Sequence, residues 1–86
     1  MTVLYTKKFL KQYQKLSQEI QDKVNSRIGI FIENPQNPSL HNHRLHGSFV
    51  HYRSINITGD YRVLYYLMDN ETAEFTAVGT HSELYG

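Results

Sequence analysis

The residues best equipped for chemistry crowd into one stretch, HNHRLHGSFVHYR, which places His41, His43, His46, His51, Arg44 and Arg53 within residues 41–53. Histidine exchanges a proton near neutral pH, and arginine offers a planar fork of donors that fits a phosphate. Those are the abilities a nuclease needs when it uses the RNA 2′-hydroxyl as its nucleophile. One group takes the 2′ proton, another protonates the departing 5′ oxygen, and positive charge stabilises the phosphorane-like transition state. The C-terminal His81 and Tyr85 can join this set. Arg62 also stands out, because it lies in an otherwise apolar and aromatic run and must either face solvent or meet an anion. The chain has no cysteine and no HExxH pattern, so neither a thiolate metal site nor a zincin-type site is expected.

The same residues also have plain structural readings. Clustered histidines can be loop surface, Arg53 can pair with an acidic residue on a sheet face, and most tyrosines suit packing. Phe49, Tyr61 and Tyr85 are also the aromatics that a binding module without chemistry would stack on bases. Composition leaves three classes open: a nuclease, a nucleic-acid-binding module and a protein-interaction domain.

Elements of secondary structure must hold these residues in place. TVLY at residues 2–5 suits a strand. Thr6 can cap a helix beginning at Lys7, with Phe9, Tyr13 and Leu16 on its apolar face. Ser17 can cap a second helix, marked by Ile20, Val24, Ile28, Phe31 and Ile32, which ends near Glu33 before Pro35 and Pro38. Residues 36–47 read as loop or a very short strand. Then SFVHYRSINI, YRVLYYLMD and TAEFTAV read as three strands joined by turns at Thr58–Gly59–Asp60 and Asn70–Glu71. The expected fold is therefore α+β, with order β-α-α-β-β-β and a helical hairpin covering one side of a small, largely antiparallel sheet. At 86 residues a single domain is expected, spanning 1–86.

The net charge of +1 conceals a gradient. Residues 1–27 hold six Lys or Arg against Glu19 and Asp22, whereas residues 56–86 hold only Arg62 against five acids. Polyanion binding would thus rest on a basic region rather than on overall attraction. No apolar run has the length of a signal peptide or a membrane span, which leads to the expectation of a soluble, cytoplasmic protein without membrane contact.

Three pieces, HxLxGSFxHYR (43–53), GDYRVLYY (59–66) and VGTHSELYG (78–86), are similar to the RelE/ParE superfamily and, within it, to YafQ-type toxins. The ending is the most specific piece, since YafQ-type chains end in GTH-x-x-LFG. This resemblance implies an mRNA interferase toxin of a type II toxin–antitoxin system. Such a toxin is a ribosome-dependent endoribonuclease that cleaves mRNA in the 30S A site without a cofactor and inhibits translation. Its implied protein partner is a cognate antitoxin, through which the complex binds operator DNA. By the same resemblance His43, Asp60 and His81 match active-site residues, Tyr61 stands where YafQ has tryptophan, and Tyr85 matches the terminal aromatic. Arg62 matches a phosphate-binding arginine of the RelE branch. Catalysis is thereby expected of His81, His43, Asp60 and Arg62. Substrate contact is expected of Tyr61, Tyr85, His46, Arg53 and Arg44. Asn56 replaces a YafQ histidine and Ala77 replaces a YafQ arginine, so Arg62 is expected to restore the missing charge. The alternatives are a ParE-like DNA gyrase inhibitor and a toxin-like antitoxin binder without activity.

Overall fold

The computed structural model describes residues 1–85, in the order β1 (Thr2–Tyr5), α1 (Lys7–Gln14), α2 (Gln18–Glu33), β2 (His43–Arg44), β3 (Arg53–Thr58), β4 (Tyr61–Asp69), β5 (Thr72–Thr80) and α3 (His81–Tyr85). Single 3₁₀ turns occupy Pro38–Leu40 and Gly47–Phe49. Both expected caps are present: Thr6 Oγ1 accepts from Phe9 N at 3.0 Å and Ser17 Oγ accepts from Ile20 N at 3.3 Å. The helical hairpin is tied by Gln21 Nε2, which donates to the Tyr13 carbonyl, and by the Tyr13 hydroxyl, which donates to Asn25. At the end of α2, Asn34 turns to extended backbone, the conformation that a following proline imposes on its predecessor.

The five strands form one sheet in the order β1-β5-β4-β3-β2; β1 runs parallel to β5 and every other pair is antiparallel. The expected β-α-α-β-β-β frame is all there, with one addition and one correction. His43–Arg44 pairs with β3 as an edge strand, which is the very short strand that residues 36–47 allow, and His81–Tyr85 add a short helix outside the expected order. The first meander strand is shorter than expected. It starts at Arg53, because Gly47, at φ 64°, and the 3₁₀ turn after it carry residues 47–49 out of the extended state.

Strand alternation gives the sheet two different faces. Cross-strand rows Ile55–Val63–Val78 and Tyr65–Phe75 meet the helices. There Phe9, Val24, Ile28, Phe31 and Leu40 complete the core. Phe31 contacts Tyr65 and Phe75 edge-on, with ring centroids 4.9 Å and 5.2 Å apart, and each such side chain stabilises the fold by about 1.5–3 kcal/mol through burial. β1 stops opposite Phe75, so the edge of β5 beyond it is closed by α1. Thr6 Oγ1 donates to Thr76 O at 2.9 Å and Val78 N donates to Gln12 Oε1 at 2.9 Å. At the far side Arg27 Nε donates to Ile57 O at the β3 bulge. These side chains satisfy backbone groups that the ladder leaves free.

Candidate active site

The face of the sheet away from the helical hairpin carries the polar residues. Register places His43 opposite Ser54, Ser54 opposite Leu64, and Leu64 opposite Ala77. A second row runs Asn56, Arg62, Gly79. Above these rows lies an open cleft of about 280 Å³ lined by His43, His46, Phe49, Ser54, Arg62, His81 and Tyr85, with Leu45 at its wall. The lining comes from the β2 edge, the 3₁₀ turn, β3, β4 and α3.

The geometry of His43 sets which nitrogen is available. His41, at the end of the first 3₁₀ turn, adopts a left-handed backbone (φ 48°, ψ 45°), uncommon for a residue with a side chain. Its carbonyl lies 2.8 Å from His43 Nδ1. A carbonyl only accepts, so Nδ1 carries the proton and Nε2 of the neutral ring is left as an acceptor. Between the two histidines, Asn42 is locked in place. Its Nδ2 donates to Pro35 O, its amide meets the Tyr65 hydroxyl within 2.9 Å, and its Oδ1 accepts from Arg53 Nε. A partly buried polar network therefore anchors the strand that carries His43.

His81 is positioned by a reciprocal cap on α3. Thr80 N donates to Glu83 Oε1 at 2.8 Å and Glu83 N donates to Thr80 Oγ1 at 3.3 Å, which is a capping box written in the sequence as Thr80-His81-Ser82-Glu83. The Thr80 hydrogen bonds hold the Glu83 carboxyl below the usual carboxylate range. His81 N donates to the Asp60 carbonyl at 3.1 Å, joining the helix start to the β3–β4 turn. One helical turn on, Tyr85 packs against the His81 ring at 4.7 Å and edge-on against Phe49 at 5.3 Å. Arg62 Nη1 donates to the carbonyls of Gly59 and Tyr61, which aims the guanidinium while its other nitrogens have no partner among the described residues. On the sheet, Ser54 Oγ and Asn56 Oδ1 are buried without a hydrogen-bond partner among the described residues.

The sequence profile described as "Bacterial toxin of type II toxin-antitoxin system, YafQ" matches residues 1–86. The chain belongs to the YafQ family of toxins. A crystal structure of YafQ from E. coli strain BL21(DE3) is similar at 26% identity and TM-score 0.80, covering 98% of this chain and 97% of the other. YafQ in the E. coli DinJ–YafQ toxin–antitoxin complex is similar at 26% identity and TM-score 0.77, over 98% and 96% of the chains. A YoeB/ParE toxin from Agrobacterium tumefaciens shares the fold at 21% identity and TM-score 0.78, over 94% and 99%. No curated protein sequence matches the chain.

In this YafQ-family chain, five of the expected residues line the cleft together: His43, His46, Arg62, His81 and Tyr85. Asp60 is exposed in the adjoining turn, where its backbone carbonyl rather than its carboxylate meets His81. Tyr61 packs partly against the core on the helix side, so the cleft's aromatic contacts come from Tyr85 and Phe49 instead. Arg44 and Arg53 lie in a separate depression. Among the described residues Arg53 pairs with no acid; its hydrogen bond is to the Asn42 amide. Leu45 and Ser54 line the cleft without having stood out in the sequence, although Ser54 is the polar partner of Asn56 in the β3 alternation. Ala77, in place of the YafQ arginine, borders a cavity of about 200 Å³ that Lys8 of α1 also lines. Arg62 lies diagonal to Ala77 on the neighbouring strand, since their direct partners are Gly79 and Leu64. Among the described residues no three His, Asp or Glu side chains are grouped as a metal ligand set.

Proposed function

We propose that this YafQ-family toxin is a ribosome-dependent endoribonuclease that cuts mRNA in the A site and blocks translation. The observation that carries the reading is the convergence of two histidines, an arginine and an aromatic pair in one open cleft. His43 Nε2 takes the proton of the 2′-hydroxyl, whose oxygen attacks the phosphorus. The bond from phosphorus to the 5′ oxygen breaks and His81 gives that oxygen its proton. The products are a 2′,3′-cyclic phosphate and a 5′-hydroxyl, and no redox partner or metal enters the balance. Arg62 neutralises the non-bridging oxygens, while Tyr85 and Phe49 receive a base and His46 extends the RNA contact. Asp60 is assigned to the nucleotide side at the mouth of the cleft, and the Ser54 hydroxyl is free to meet the substrate. Binding on the ribosome supplies alignment of the 2′-hydroxyl and phosphate, a contribution of several kcal/mol.

The partner in this reading is a cognate antitoxin, as the DinJ–YafQ complex supports. Operator DNA would be reached through that antitoxin. The test is to incubate the purified chain with translating ribosomes and a defined mRNA, and to map the cut beside a His81→Ala control. A-site cleavage lost in the variant supports the reading. A 5′-phosphate product would overturn the chemistry, and inhibition of gyrase supercoiling without RNA cleavage would move the chain to a ParE-like activity.

A further inference from the structure

Beyond the cleft, Arg44 and Arg53 face one another as direct cross-strand partners of β2 and β3. With His51, Tyr52 and Tyr66 they line a depression of about 310 Å³, and among the described residues no acidic one lines it. Like charges directly opposite on an antiparallel pair repel, and a sheet edge gives them room to separate. Arg53 is prevented from doing so, because its Nε is held 2.9 Å from Asn42 Oδ1 and Asn42 is itself pinned by Pro35 and Tyr65. One positive group is thus fixed opposite a second, exposed one, and no hydrogen bond among the described residues uses the remaining donors of Arg53 or the side chain of Arg44. Beside them Tyr66 is 42% exposed and touches Tyr52 edge-on at 6.1 Å, which leaves ring surface open. Paired guanidiniums suit a phosphate, and an exposed aromatic face next to them suits a base.

We propose that this depression is a second RNA subsite, holding a phosphate between Arg44 and Arg53 and a neighbouring base on Tyr66. The inference rests on the reading of the chain as an RNA nuclease. It places the subsite around the sheet edge from the cleft, for His43 lines the cleft while Arg44, the next residue of β2 and therefore turned to the other face, lines the depression. RNA leaving the cleft would round this edge strand to reach the arginine pair. A phosphate with its neighbouring base is the ligand whose two parts use both the arginines and the tyrosine face.

The test measures binding rather than cleavage. A short labelled single-stranded RNA is titrated by fluorescence anisotropy at several salt concentrations into the full chain carrying His81→Ala, so that the probe is not cut. Adding Arg44→Gln is expected to weaken binding about fivefold or more and to lower the slope of log K against log salt by about 0.7, the value for one phosphate contact on a single strand. Adding Tyr66→Leu is expected to weaken binding at least about fivefold with the salt slope unchanged. Both side chains are exposed, and urea unfolding of each variant verifies the fold. RNA binding equal to that of the parent in both variants, or absent from the parent, overturns the subsite. Loss of polyglutamate binding with RNA binding intact also overturns it and gives the depression to an acidic peptide. Absence of ribosome-dependent cleavage by the unmutated chain, with the RNA-binding pattern intact, would instead overturn the nuclease reading and leave the subsite standing.

Discussion

The Glu83 carboxylate folds back over the start of α3 to accept the Thr80 backbone N–H at 2.8 Å, and the Thr80 hydroxyl accepts the Glu83 N–H at 3.3 Å. This pair turns the last strand into the helix that carries His81 and Tyr85. It explains the glycine before them as well. A Cβ on Gly79 would sit 3.2 Å from Glu83 Oε1 and 3.4 Å from Glu83 Cβ, so the folded-back side chain would have to give by a few tenths of an ångström.

Gly79→Ala is therefore expected to disturb α3 without unfolding the sheet. Ribosome-dependent cleavage should fall by about tenfold or more through misplacement of His81, while urea stability changes by about 1 kcal/mol or less. Equal losses in the two measurements would show that the glycine serves the sheet and not the site.

The same pair carries a pH signature. The Glu83 carboxyl titrates below its ordinary range in the folded chain because Thr80 donates to its charged form. A lowered folded value means that the contribution is complete above the unfolded-state value and disappears as pH falls through the lowered one. The His81–Tyr85 helix should loosen in the acid range below the ordinary glutamate pKa. Amide exchange of Thr80 followed against pH would register this, and Glu83→Gln should flatten the profile.

His43→Ala and His81→Ala are each expected to reduce single-turnover cleavage by roughly 10²- to 10⁴-fold, the range for losing a general acid or base. Both side chains are exposed, so unfolding midpoints should correspond to changes within about 0.5 kcal/mol. A His43 variant that cleaves at the normal rate would remove Nε2 from the role of base.

Arg62→Ala tests whether the arginine on β4 makes up for Ala77 on β5. A loss of about 10²-fold or more in cleavage is expected from removing one preorganised charge at the phosphate. Full cleavage by Arg62→Ala would defeat the compensation and turn attention to Lys8, which borders the same cavity as Ala77.

Phe31→Ala should cost about 3–5 kcal/mol in urea unfolding, since the ring is fully buried and contacts Tyr65 and Phe75. In a domain whose stability is of order 5–15 kcal/mol, that is enough to populate unfolded chain. A smaller loss would mean that the core relaxes into the space.

Local rules written in the sequence determined much of this molecule. Thr6 and Ser17 start the helices, Pro35 stops the second, and Gly59–Asp60 and Asn70–Glu71 turn the meander, each through interactions a few residues apart. The Thr80–Glu83 box was also legible at that range, although α3 is too short to show a periodic pattern. The resemblance singled out His43, Arg62, His81 and Tyr85 as residues of one site. Only the tertiary structure decided how they meet. The β2–β3 register brings His43 over Ser54, the Asp60 carbonyl docks α3, and strand parity sends Tyr61 to the core side while Arg62 faces the cleft. The Asn42–Arg53–Tyr65 network likewise joins residues remote in sequence. Such contacts form only after long-range strand pairing has closed the loops between them, and no window of neighbouring residues contains that information.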